Sequence, residues 1–190
     1  MLIPKIFPIS SPDQNTIELI NGLRKLRSNQ IDTFLYRRKN LNPLESKKEI
    51  NLVEETCQQE EIFLVFNSFH INQLPENYSG IHLTSEDLKK HNERPISKDK
   101  VLGVSCHNKR EILMAESIEA DYIFLSPVKE TSSHPGVNPI GWKKFRSLVL
   151  ETNIPVLALG GLQKEDVSIA QKNGAYGIAG IRKFWSSNVS

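Results

Sequence analysis

Cysteine is scarce in this chain of 190 residues: Cys57 and Cys106 are the only two, and they form no CxxC pair. That excludes a disulfide framework and a zinc site built from thiolates, and it suits a reducing compartment. Long apolar runs are missing as well. The first residues, MLIPKIFPISSPDQN, are interrupted by Pro4 and Pro8 and show no cleavage signal. Neither a signal peptide nor a membrane anchor is expected, and the expected location is cytoplasmic. Nor is there an excess of one charge, since 24 Lys+Arg face 22 Asp+Glu for a net +2. The basic runs at 24–27 and 36–39 are local, so no nucleic acid and no membrane surface is expected as a partner. Glycine is absent just after the first predicted strand, where ISSPDQ stands, and this excludes the GxGxxG loop of an open Rossmann sheet. GxSxG, HExxH and GxxxxGK[ST] are absent too.

What is present is a repeated alternation of strand and helix. VLGVSCH, ADYIFLSPV, IPVLALGGL and YGIAGIR are short apolar runs that end in small or polar residues, with charged helix-length segments between them. The first hundred residues repeat the pattern more faintly. Strands are expected at Leu2–Ile9, Asp32–Arg37, Ile62–Phe66 and Gly80–Leu83, and later ones from near Val101, Tyr122, Pro155 and Tyr176. A helix at Pro12–Leu26 should bury Ile17, Leu19, Ile20 and Leu23. A second should run from Pro43 to about Gln59, and a short one over Ser85–Lys90 should be capped by Ser85. Eight strands alternating with helices give an α/β fold, a compact single-domain (β/α)8 TIM barrel over residues 1–190. Such barrels hold their sites at the strand C-termini, and Gly160-Gly161, directly after a buried strand, lets backbone N–H groups approach a phosphate.

In order along the chain, LYRRK (35–39), FN (66–67), GIHLTSEDL (80–88), GVSCHN (103–108), ADYIFLSPVKETSSHPG (120–136), PVLALGGL (155–162) and NGAYGIAGIR (173–182) resemble the thiamine phosphate synthase and TenI superfamily. The HLTS, SHPG, GW and ALGG wording most resembles the TenI-like domain fused behind a Nudix hydrolase in some bacteria. The resemblance implies transfer of a hydroxymethylpyrimidine group from its diphosphate to a thiazole phosphate, with release of diphosphate and with Mg²⁺ as cofactor.

Residue by residue, the resemblance implies that Arg37, Lys39 and Asn67 bind the diphosphate and that Asp87 holds the metal. Leu35 stands where the synthases carry Gln, and Ser68 where they carry a second metal-binding Asp. Thr131, Ser133, Gly160, Gly161, Gly180, Ile181 and Arg182 would bind the thiazole phosphate. Ser105 matches the family's serine after strand five, and His134, in place of a Lys, would act beside it in catalysis. A Gly161→Val change should block the phosphate cradle without unfolding the barrel.

Two alternatives remain on the same resemblance. One is a TenI-type thiazole phosphate isomerase using His134 or His107 as base. The other is a non-catalytic module that binds a phosphate ligand and works with a separately encoded Nudix hydrolase. Small-molecule phosphate esters are the expected ligands, and a homodimer is left open.

Overall fold

In the computed structural model, which describes residues 3–131 and 136–185, eight strands lie parallel in one sheet. They are β1 (Ile6–Pro8), β2 (Thr33–Tyr36), β3 (Phe63–Asn67), β4 (Gly80–Leu83), β5 (Val101–Cys106), β6 (Tyr122–Leu125), β7 (Val156–Ala158) and β8 (Gly177–Gly180). Their order, β1-β8-β7-β6-β5-β4-β3-β2, leaves β1 beside β2, and an Ile9–Leu35 bridge joins them. The expected TIM barrel is therefore present. Among the described residues, no helix is long and apolar enough to cross a membrane.

Helices α1 (Thr16–Ser28), α2 (Pro43–Gln59), α3 (Ser85–Leu88), α4 (Lys109–Ser117), α5 (Gly141–Val149) and α6 (Val167–Lys172) lie between the strands. Local chemistry sets where the longer ones begin. Asn42 accepts from the backbone of Leu44 and Glu45, Glu45 returns a bond to Asn42 N–H, and Pro43 opens α2 where its missing donor costs nothing. Asn15 and Glu18 form the same reciprocal cap on α1. Helix α1 thus starts later than expected and buries Leu19, Leu23 and Leu26, one stripe at i, i+4 and i+7. Ile17 falls off that stripe and is 74% exposed, contrary to expectation. Helix α3 is one turn, and Thr84 rather than Ser85 caps it, its Oγ1 accepting from Asp87 N–H at 3.1 Å. After β3 a 3₁₀ turn, Ser68–Gln73, replaces a full helix.

Alternation along the strands divides the core. Phe7, Ile9, Leu35, Val65, Tyr122, Phe124, Leu157 and Ala179 fill the barrel interior. Outward residues pack on the helices in two further clusters, one over β2 and β3 and one over β4 to β8. Each buried Phe or Leu contributes about 1.5–3 kcal/mol. Gly103 makes one interior contact feasible: a Cβ there would run into the Tyr122 phenol and lie 2.6 Å from His82 Nδ1.

Candidate active site

Because all eight strands are parallel, the segments that follow them converge at one end of the barrel. Two groups of residues meet there, one after β6 to β8 and one after β2 to β5.

After β6 to β8 lies a cavity of about 530 Å³. Thr131, Gly160, Gly161, Gly180, Ile181 and Arg182 all line it. Ser133 and His134 lie outside the described residues. Gly160 and Gly161 adopt φ of +101° and +67°, the left-handed region that glycine enters without strain. The loop after β6 is fastened along this turn. Val128 N–H donates to Leu159 O at 2.9 Å, Lys129 N–H to Gly160 O at 3.0 Å, and Lys129 Nζ to Asp166 Oδ1 at 2.8 Å. Arg182 Nε lies 2.5 Å from Asp13 Oδ2, so the segment after β8 is tied to the loop after β1.

His107 is also on the cavity wall. Its Nδ1 lies 2.8 Å from the Ser126 carbonyl oxygen, an acceptor only, so Nδ1 carries the proton and Nε2 is the acceptor of the neutral ring.

On the other side of the mouth, Arg37 and Lys39 follow β2. Burial lowers the Arg37 pKa. Partial burial also lowers that of Lys39, helped by the Arg37 charge and opposed by Asp87, so these three groups share one neighbourhood. Lys39 Nζ lies over the Phe69 ring, 5.6 Å from its centroid. Asn67 is buried with its amide on the backbone: Oδ1 accepts from Phe69 N–H at 3.2 Å, and Nδ2 donates to His82 O at 3.4 Å. It caps the turn after β3 and holds β3 to β4.

The Asp87 carboxylate is surrounded by donors. Ser68 Oγ donates to Oδ2 at 2.6 Å, Thr84 Oγ1 to Oδ2 at 2.7 Å, and Lys90 Nζ to Oδ1 at 2.7 Å. Partial burial works against ionisation, yet the bonds from Lys90, Ser68 and Thr84 carry the pKa down to about 2. The neighbouring acid, Glu86, pairs with Lys89 at 2.8 Å. Among the described residues, no group of three or more His, Cys, Asp or Glu side chains could hold a metal ion. A carboxylate whose oxygens are already taken up by two hydroxyls and an ammonium does not fit a magnesium ion, which needs a free anionic oxygen from the protein.

Between the two groups, Ser105 on β5 is half-buried, and its Oγ lies 2.8 Å from His82 Nε2. His82 Nδ1 lies 3.1 Å from Tyr122 Oη inside the barrel. Burial, with a smaller push from Arg37, lowers the His82 pKa to about 3. The imidazole is therefore neutral near pH 7 and links the two hydroxyls without carrying charge.

The sequence reading missed one feature beneath this site. Arg38 belongs to the basic run at 36–39, yet it is 1% exposed. Its Nε donates to Glu49 Oε1 at 2.9 Å and its Nη1 to Ser11 O at 2.5 Å, while Tyr36 Oη and Thr16 Oγ1 also donate to Glu49. The usable signal was the strand period, which sets Tyr36 and Arg38 on the face opposite Arg37, and a glutamate on the apolar face of α2.

Fold and cavity together define a (β/α)8 barrel with a glycine-lined cavity at its strand C-termini. The family model described as thiamine monophosphate synthase matches residues 6–184. The chain belongs to that family. An Aquifex aeolicus (strain VF5) protein named only provisionally, as thiamine-phosphate synthase 2, is 31% identical over 97% of this chain and 99% of its own length. The thiamine-phosphate synthase of Prochlorococcus marinus subsp. pastoris is 29% identical over 92% of this chain but 49% of that protein, so the chain spans about half of it. Among solved structures, the thiamine phosphate pyrophosphorylase from Pyrococcus furiosus superposes with a TM-score of 0.71 at 21% identity, covering 93% of this chain and 85% of that one. That likeness speaks to the fold.

Proposed function

We propose that this chain joins hydroxymethylpyrimidine diphosphate to thiazole phosphate and releases diphosphate. In that reaction the bond from the pyrimidine methylene carbon to the diphosphate oxygen breaks, and the electron pair leaves with diphosphate. The thiazole nitrogen lone pair then forms the new bond to the same carbon. No proton has to move, so the protein's task is to place two anionic substrates and to stabilise the departing charge.

The observation that carries this reading is the cavity. The six described residues expected to bind phosphate line one space, at the same barrel end as Arg37 and Lys39. Thiazole phosphate would sit on Gly160, Gly161, Gly180 and Thr131, with Arg182 as its cation. Diphosphate would sit across the mouth on Arg37 and Lys39, with the Ser105 hydroxyl, oriented by neutral His82, between the two. The test is to incubate the protein with both substrates and measure thiamine phosphate as its fluorescent oxidised product. Thiazole phosphate binding with no product, with or without Mg²⁺, would sink the synthase and leave a binding module.

A second reading rests on His107. His107 is on the cavity wall with its Nδ1 held by the Ser126 carbonyl oxygen, so Nε2 would serve as the base of an isomerase acting on a thiazole carboxylate phosphate. Turnover of that ester with no pyrimidine present, lost in His107→Ala, would favour it.

A further inference from the structure

The Asp87 neighbourhood bears on how a diphosphate would be held, an inference that rests on the synthase reading. In a metal-dependent diphosphate site, acidic side chains hold the cation and the cation holds the anion. Here the acid is engaged elsewhere. Ser68 Oγ donates to Asp87 Oδ2 and accepts from Thr84 N–H at 3.3 Å, so the residue in the second acidic position closes a hydrogen-bonded ring between β3 and β4. Thr84 Oγ1 donates to the same oxygen and accepts from Asp87 N–H, while Lys90 covers the other oxygen. Oδ2 is taken up by two hydroxyls, so a divalent ion would have to approach Oδ1 against the Lys90 ammonium to gain one carboxylate. Coulomb's law opposes that arrangement, and the neighbouring acid, Glu86, is itself paired with Lys89.

Positive charge is nevertheless present. Arg37 and Lys39 are two residues apart at the end of β2, and Lys39 leans over Phe69, the residue next to Ser68. A guanidinium fork binds two phosphate oxygens at once, and a lysine adds a point charge.

We infer that this chain holds a diphosphate group at the β2–β4 corner on Arg37 and Lys39 without a divalent cation, Asp87 having become a structural acceptor for Ser68, Thr84 and Lys90. The class of ligand is a diphosphate ester or inorganic pyrophosphate, bound as the free anion.

The experiment uses the full chain and inorganic pyrophosphate, titrated calorimetrically in EDTA and again with Mg²⁺. In parallel, Mn²⁺ is titrated onto the protein alone and the free ion followed by electron paramagnetic resonance. Binding is expected in EDTA, weakened about tenfold or more in Arg37→Ala/Lys39→Ala protein whose circular dichroism is unchanged. No Mn²⁺ uptake is expected. Pyrophosphate binding that requires Mg²⁺, no pyrophosphate binding in either medium, or Mn²⁺ uptake abolished by Asp87→Asn would each overturn the inference. Coupling of the two substrates, assayed in the same two media, separates this from the synthase reading. Coupling seen only with Mg²⁺ overturns the inference and leaves the synthase. Metal-free pyrophosphate binding with no coupling in either medium does the reverse.

Discussion

Arg38 and Glu49 form an ion pair at 2.9 Å with both side chains 2% exposed, directly behind the strand end that carries Arg37 and Lys39. The pair joins β2 to α2, and through Ser11 O it also joins the loop after β1. His70 completes the junction, its Nε2 accepting from Arg38 N–H at 3.1 Å. The backbone of the basic segment is therefore fixed from beneath while its alternate side chains face the mouth.

Removing one partner should be costly because the other stays buried and charged. Glu49→Ala is expected to lose about 3–5 kcal/mol of stability in chemical denaturation. A double change, Arg38→Met/Glu49→Leu, should recover much of that. If Glu49→Ala unfolds at the same denaturant concentration as the parent, the pair contributes no net stability.

Gly161 was expected from the sequence to tolerate valine apart from blocking a phosphate. The structure alters that expectation, because at φ +67° a Cβ would enter the Glu130 carbonyl oxygen. Gly161→Val should therefore displace the loop after β6, cost about 1–3 kcal/mol in thermal unfolding and remove phosphate-ester binding. Unchanged affinity for thiazole phosphate by calorimetry would show that the phosphate lies elsewhere.

His82 makes a pH-dependent contribution of definite sign. Its folded pKa, about 3, lies below the ordinary 6.5, so the unfolded chain takes up the proton first as pH falls. The stability is fully present above about pH 6.5 and is lost as pH drops toward 3, at up to about 1.4 kcal/mol per pH unit. In His82→Gln the slope of unfolding free energy between pH 6 and 4 should be shallower by about one proton. Equal slopes would mean that His82 titrates normally.

Ser68→Asp should put a second carboxylate beside Asp87. Such a pair repels unless a cation lies between, so this variant is expected to be less stable in EDTA and to regain stability with Mg²⁺. Its melting temperature in the two media, set beside that of the parent, is the readout. A parent protein that gains as much from Mg²⁺ as the variant would contradict the metal-free assignment.

The barrel was legible in the sequence because its signals are local. The strand expected at Gly80–Leu83 is present to the residue, and the helix expected from Pro43 to about Gln59 ends where it should. The glycines at 160, 161 and 180 advertised close backbone approach, and the cavity gathers them with Thr131, Ile181 and Arg182. The strand period likewise separated Arg37 from its neighbours, since alternate side chains must leave a strand on opposite faces.

What the sequence by itself determined was the strand and helix order, the barrel it implies, and the residue types carried to each strand end. Only the tertiary structure decided what those residues touch. It buried Arg38 against Glu49, left Ile17 in solvent, joined Ser105 to Tyr122 through His82, and turned Ser68 onto Asp87. The reason is range: caps, turns and alternation are set by neighbours within a few residues, whereas these contacts span 11 to 40 residues or depend on where α1 meets the sheet. A serine in an acidic position reads as a loss in the sequence, and only the folded ring between β3 and β4 shows the hydrogen bond that takes its place.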